Sequence, residues 1–209
     1  MTDKPTITGR ENGPLLVKHL KRLTAADGRE IEVKEVMALC RCGGSSNKPF
    51  CDGTHNENGF TDTSTVEPAG KDKIYSFEGK ISLVAYNPRL CSHAAECVTR
   101  APAAFDPTRR PWIEPDAAER EKLEEVVSAC PSGALMIANA GENPVQLVAD
   151  AEGISIQKDG PYHVNGVEMD RGPTAEGGSA EKYVLCRCGL SGAKPFCDGT
   201  HRDAGWKDN

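Results

Sequence analysis

The sequence predicts an α+β chain of three small units, two β-rich copies of one repeat flanking an α+β insert. Three observations predict it. A sixteen-residue motif occurs twice, 146 residues apart. The segment between the copies shares none of that motif and reads strand, helix, strand. Finally, a chain of 209 residues (22.4 kDa), 38% hydrophobic and only 5% aromatic, can furnish thin cores at best, and small units with thin cores need staples. Nine cysteines indicate what the staples are.

The repeat carries the argument. Cys40–His55 reads CRCGGSSNKPFCDGTH and Cys186–His201 reads CRCGLSGAKPFCDGTH, identical at 13 of 16 positions. The likeness extends outward. Gly13-Pro14-Leu15-Leu16-Val17 precedes one motif as Gly160-Pro161-Tyr162-His163-Val164 precedes the other, and Gly59-Phe60 follows as Gly205-Trp206 does. Between the copies, Lys80–Tyr86 reads as a strand closed by the Asn87-Pro88 turn signal. Asp116–Ser128 reads as a helix, with Asp116 at the N-cap after Pro115 and Glu119 completing a capping box. Leu123, Val126, Val127 and Cys130 share one face at i, i+3, i+4 and i+7. Pro131 and Gly133 stop that helix, and Ala134–Ala138 reads as a returning strand. Periodicity fades at 62–72 and 142–153, which sets domain boundaries at 1–65, 66–145 and 146–209. A Gly-rich loop is expected at 171–180.

The cysteines divide without remainder. Each repeat is spaced C-x-C-x8-C-x3-H, supplying three thiolates and one imidazole: Cys40, Cys42, Cys51 and His55, then Cys186, Cys188, Cys197 and His201. The insert takes the other three, Cys91, Cys97 and Cys130, as C-x5-C-x32-C-P. Structural zinc is the alternative for the repeats. It also accepts Cys3His, but commonly through C-x2-C or C-x4-C knuckles.

The long motif resembles the CDGSH iron-sulfur domain, the family of mitoNEET, with Thr in the Ser position. The resemblance implies a [2Fe-2S] cluster in each copy, the C-x-C pair on the inner iron and the third cysteine with the histidine on the outer iron. It also implies pairing, since mitoNEET-type domains form intertwined homodimers. Two copies in one chain are therefore expected to make an intramolecular pseudo-dimer and a monomeric protein. Asp52-Gly53 and Asp198-Gly199 are expected to open a short helix whose N–H groups face the cluster, with Gly59 and Gly205 as its C′ residues. Ser45 and Ser191 are expected to donate to cluster sulfurs. Lys48 and Lys194 are either solvated or bias the charge at the cluster. Pro49-Phe50 and Pro195-Phe196 pack the loop.

A bacterial ferredoxin uses C-x2-C-x2-C with a distant C-P. Here Cys91, Cys97 and Cys130-Pro131 occupy three of those positions and Ala94 the other. The insert resembles single-cluster ferredoxins in which three thiolates hold a [3Fe-4S] cluster. It also resembles a divergent family described as carrying [4Fe-4S], so both cluster types stand as expectations. His93 is displaced one residue from the vacant slot and reads as a surface histidine before a ligand. His19 and His163 have no cysteine neighbours; Phe105 and Trp112 read as core.

Charge and composition narrow the function. A formal net charge of −6 and a pI near 5.4 argue against nucleic acid, which requires a basic face. No apolar run approaches a membrane span, and Met1–Arg10 has neither a secretory h-region nor a mitoNEET-type anchor helix. A cytoplasmic, bacterial protein is expected, where thiols stay reduced and close-set cysteines read as ligands. No nucleophile–base constellation, phosphate loop or nicotinamide fingerprint is legible, so no enzyme is expected. The expected function is electron transfer between a reductase and an acceptor. A pH- or redox-labile cluster sensor, store or donor is the second class, and a zinc-bound interaction module the third.

Overall fold

The computed structural model describes residues 4–63, 67, 70–148 and 152–208. The segments read as linkers include Ser64–Val66, Pro68, Ala69 and Ala149–Ala151, which lie outside the described residues, as does the boundary at 65/66. The first copy contributes β1 (Thr6–Gly9), β2 (Leu15–Lys18), β3 (Leu23–Thr24), β4 (Glu30–Ile31) and β5 (Val36–Leu39). The insert holds β6 (Tyr75–Glu78), β7 (Ser82–Tyr86), α1 (Glu96–Arg100), α2 (Arg120–Ala129) and β8 (Leu135–Asn139). The second copy supplies β9 (Gly153–Ile156), β10 (Tyr162–Asn165), β11 (Glu168–Met169), β12 (Lys182–Leu185) and α3 (Thr200–Asp203).

The two copies exchange strands. One sheet runs β11-β1-β2-β5 and the other β12-β10-β9-β3-β4. The short strand of each copy has thus crossed to the other copy's sheet. Met169 pairs with Ile7 and, by the same symmetry, Leu23 pairs with Ile154, both in parallel register. The antiparallel ladders β1·β2·β5 and β9·β10·β12 repeat each other. Inward residues alternate along these strands, as the period of two requires. Ile7, Leu15, Val17, Leu39, Ile154, Val164 and Leu185 converge with Tyr162 and Tyr183 in one shared core. The expected pseudo-dimer is therefore one body with one core.

The insert forms an antiparallel sheet β6-β7-β8. Against it lies α2, burying Leu123, Val126 and Val127 as the spacing predicts. Its start differs from the expectation. Pro115–Ala117 make a separate 3-10 turn, and α2 begins at Arg120 with Glu119 as N-cap and no side-chain cap bond. Asp116 is occupied elsewhere: its Oδ1 accepts the Lys80 amide of the β6–β7 hairpin at 2.7 Å. Trp112 packs on Tyr86 (4.9 Å between ring centroids), Phe105 and Phe77, as a core residue.

Two devices tie the insert to the second copy. The side chain of Lys182, 2% exposed, donates from Nζ to the carbonyls of Val127, Ser128 and Leu147. It thereby satisfies carbonyls that α2 leaves free at its end. The expected loop at 171–180 has no strand or helix, and Glu176 clamps Ile74 and Asp72 across it. No helix among the described residues is long and apolar enough to cross a membrane.

His163 faces this arrangement from β10. It is half-buried, contacts Gln157 at 3.2 Å, and burial pushes its pKa down to about 4, partly opposed by Glu96. The unfolded histidine titrates near 6.5. Its contribution to stability is therefore complete above that value and is lost as pH falls toward 4. His163→Leu, which installs the residue of the other copy (Leu16), is expected to flatten the acid limb between pH 6.5 and 4 relative to the parent chain, measured by urea unfolding at each pH.

Candidate metal centres

Each motif folds over a strand end that presents its ligands. The Cys40 amide donates to Pro49 O (2.8 Å) and the Cys51 amide to Ala38 O (2.8 Å). The second copy repeats this with Cys186 to Pro195 (2.9 Å) and Cys197 to Val184 (3.1 Å). A loop of this shape brings the donors together in pairs. Cys40 and Cys42 sulfurs are 3.6 Å apart, as are those of Cys186 and Cys188. The Cys51 sulfur lies 3.3 Å from His55 Nδ1, and the Cys197 sulfur 3.4 Å from His201 Nδ1. Among the described residues, no group of three or more His, Cys, Asp or Glu side chains is arranged to hold one ion. Each motif thus presents its donors as two close pairs.

The electrostatics fit an anionic cluster. Burial pushes the Cys40 thiol up, and pushes Cys197 up to about 12. Within the second C-x-C pair the thiols are hydrogen-bonded to each other, which lowers Cys186 and raises Cys188. Such sulfurs become thiolates when a metal replaces the proton. The Leu190 amide donates to the Cys188 sulfur (3.4 Å), while backbone hydrogen bonding at Ser45 and Gly199 partly opposes the rise of Cys40 and Cys197, and that at Ser191 and Gly189 helps lower Cys186. Burial holds His201 below its ordinary pKa, neutral and free to ligate.

The other expected site residues are structural more than ligand-facing. The Ser45 hydroxyl donates to Phe50 O (2.7 Å) and accepts from the Asn47 amide; the Ser191 hydroxyl does the same with Phe196 O and Ala193. The hydroxyls expected to donate to cluster sulfur are engaged by the loop's own backbone, since a side chain this short closes its own turn first. Lys48 and Lys194 donate to Ser45 O and Ser191 O. Lys194 also lowers Cys186 electrostatically. Asp52 and Asp198 accept the Thr54 and Thr200 amides (3.1 Å each) and hold the opposite strand of the loop at Ser46 and Gly192. Those bonds draw both carboxyls below their usual range, hydrogen bonding outweighing burial for Asp198. The short helix they open is a 3-10 turn at Thr54–Asn56 in one copy and α3 in the other, with Gly205 at C′ (φ +61°).

The arginine of C-R-C had no assigned role. Arg41 is buried and binds Gly13 O, Arg10 O and Asp62, with Phe60 beneath it. Arg187 binds Gln157 O, Gly160 O and Asp208, packed on Tyr162 and Trp206. These arginines explain why the Gly-Pro and Gly-aromatic flanks recur with the motif. That recurrence was the signal available in the sequence.

In the insert, Cys91, Cys97 and Cys130 line one cavity with Tyr86, Trp112 and Leu135. Burial raises Cys91 and pushes Cys97 up to about 11, with Cys130 repelling both. The His93 amide donates to the Cys91 sulfur at 3.4 Å, and Tyr86 partly offsets the rise of Cys91. Ala94 also lines the cavity. His93 is exposed and Cys97 lies on α1, an element the sequence reading did not include. Three cysteine sulfurs, Cys130 buried and Cys91 and Cys97 half-buried, on apolar walls suit an iron–sulfur site.

Comparison with known proteins agrees with this geometry. The family model for the iron-binding zinc finger of CDGSH type matches residues 12–56 and 159–202. The model for a divergent 4Fe-4S mono-cluster domain matches residues 77–140. The uncharacterized protein YjdI of Escherichia coli K12 is 38% identical over 52 residues, 25% of this chain and 68% of YjdI; the O157:H7 protein matches equally. No solved structure matches.

Ser45→Ala and Ser191→Ala are expected to lower stability by about 1 kcal/mol each in thermal melts. The redox potentials of the iron-loaded chain should stay in place, and a clear shift in voltammetry would restore a direct hydroxyl–sulfur contact.

Proposed function

The chain belongs to the CDGSH-type iron-binding family, with a divergent 4Fe-4S mono-cluster domain between its two CDGSH copies, and we propose that this iron–sulfur protein is an electron carrier. In this reading Cys40, Cys42, Cys51 and His55 hold one [2Fe-2S] cluster, and Cys186, Cys188, Cys197 and His201 hold another. Cys91, Cys97 and Cys130 hold a [3Fe-4S] cluster, or a [4Fe-4S] cluster whose fourth ligand comes from outside this set. The observation that carries the proposal is the separation of each repeat's donors into a sulfur pair at 3.6 Å and a sulfur–imidazole pair at 3.3–3.4 Å. One-electron chemistry is what such clusters supply when bound.

The chain's own residues do the remainder. Imidazole in place of thiolate removes negative charge and favours the reduced state, as in Rieske centres. Amide donors to sulfur act in the same direction. The shared core and the aromatic wall of the insert exclude water from the inner sulfurs. With all nine cysteines distributed among three sites, the reading assigns none to catalysis. An acidic surface suits docking to basic faces of a reductase or acceptor.

A second reading, cluster sensing or donation, is favoured by one observation: Cys51 and His55 are only half-buried. The histidine must be neutral to bind iron, so protonation competes with ligation.

Anaerobic purification with iron quantitation and EPR tests the cluster set. About seven irons and a signal from the oxidised protein support the three-iron form; about eight irons and a silent oxidised protein support the four-iron form. Stoichiometric zinc would make the protein an interaction module. In a pH-jump absorbance trace the repeat sites are expected to bleach before the central site. The double variant His55→Cys, His201→Cys should slow that loss and lower the potential; an unchanged profile would remove the histidines from the ligand set.

A further inference from the structure

The two motifs match in sequence and loop shape, but their surroundings differ. In the first copy Cys51 and His55 are half-buried and Asp52 is exposed. In the second, Cys197 and His201 are each 5% exposed and Asp198 is buried. The cover is the cysteine loop of the insert. An ideal Cβ at Gly199 would meet His93 Cδ2 at 2.9 Å and Ser92 O at 3.2 Å. At Gly53, with nearly the same backbone (φ +95° against +90°), the nearest atom is Asn56 Nδ2 at 4.0 Å. Arg202 Nη2 donates to Ala94 O at 3.2 Å, and the guanidinium favours the thiolates of both Cys91 and Cys197. It therefore stands between the central site and the outer donor pair of the second repeat. Its counterpart in the first copy is Asn56.

The inner donor pairs meet on the other side. Cys42 and Cys188 form an antiparallel bridge between the two C-x-C loops, which sets their Cα atoms about 4.5–5.5 Å apart. Gly43 and Gly189 permit this approach: a Cβ on either would lie 2.5 Å or 2.8 Å from the opposing cysteine carbonyl. Tyr162 of the second copy also reaches Cys40 O (2.8 Å) and Pro49 O (3.1 Å) of the first.

We propose that the three sites form one series, central site to second repeat to first repeat, joined by the Ser92–Ala95 loop on Gly199–Arg202 and then by the Cys42–Cys188 bridge. The Cys51–His55 end is the port to the external redox partner. This rests on the electron-carrier reading above. Each hop moves one electron, with no bond made or broken and no proton transferred. The reduced central site is oxidised as the second repeat's site is reduced, and the electron passes on in the same way to the first repeat. At the port a ferric haem protein is reduced to the ferrous state. Tunnelling falls steeply with separation, so the covered second-repeat site exchanges electrons with its neighbours before it exchanges them with a bulky partner.

The test uses the full chain, anaerobically loaded, with iron content and EPR recorded on each sample. After reduction with dithionite and desalting, it is mixed in a stopped-flow instrument with ferricytochrome c, and haem reduction is followed. The parent chain is expected to deliver its electrons in one fast phase. Cys197→Ser, lacking the middle site, should retain the fast electron of the first repeat and lose fast delivery from the centre. Arg202→Asn should keep its full iron content and slow the central electron alone, which keeps the question answerable if Cys197→Ser fails to fold. Parent-like kinetics in Arg202→Asn, with all EPR signals intact, would overturn the series and leave the carrier reading standing. A chain without iron–sulfur signals would overturn both.

Discussion

Two strands of two residues each decide how this protein is put together. By crossing into the opposite sheet, β3 and β11 bind the repeat copies through Leu23–Ile154 and Met169–Ile7. Neither copy could bury a sufficient core alone, since a unit of about 45–50 residues buries too little of its surface. Exchanged, they pool Leu15, Val17, Leu39, Tyr162, Tyr183 and Leu185 into one interior. The same exchange sets the C-x-C loops face to face, so that folding and the placement of the inner cysteines are a single event.

The insert breaks the symmetry that the exchange creates. Between β5 and β9 it occupies the connection, and it docks on the second copy through the Lys182 side chain and the Arg202–Ala94 contact. A histidine that is half-open in one motif is sealed in the other. Two sites with the same Cys and His residues are thereby given different solvent access and different neighbours, which a simple homodimer cannot supply.

The motif's polar residues show how a short loop is held rigid without a large core. Serine hydroxyls, lysine ammonium groups and aspartate carboxylates are spent on the loop's own backbone, and the buried arginine anchors it from behind. The Leu190 amide held in place there donates to the Cys188 sulfur. A cluster ligand shell gains its precision from such supporting contacts.

The pairing of the motif's Cys and His side chains was legible from the sequence, because spacing in a short motif is enforced by local geometry: C-x-C and C-x3-H place those side chains in pairs in whatever body carries them. The repeat, its pairing through the family resemblance, and the buried face of α2 were legible for similar reasons of local period and identity. The start of α2 was not, since Asp116 is claimed by the Lys80 amide of a hairpin 36 residues away. Nor was the role of the serine hydroxyls, which depends on which of two acceptors lies nearer. Tertiary structure alone decided which strands exchange, which histidine is covered, and that Arg202 stands between two cysteine sites. These are contacts between residues as many as 162 positions apart in the chain, and no period or propensity encodes a meeting at that separation.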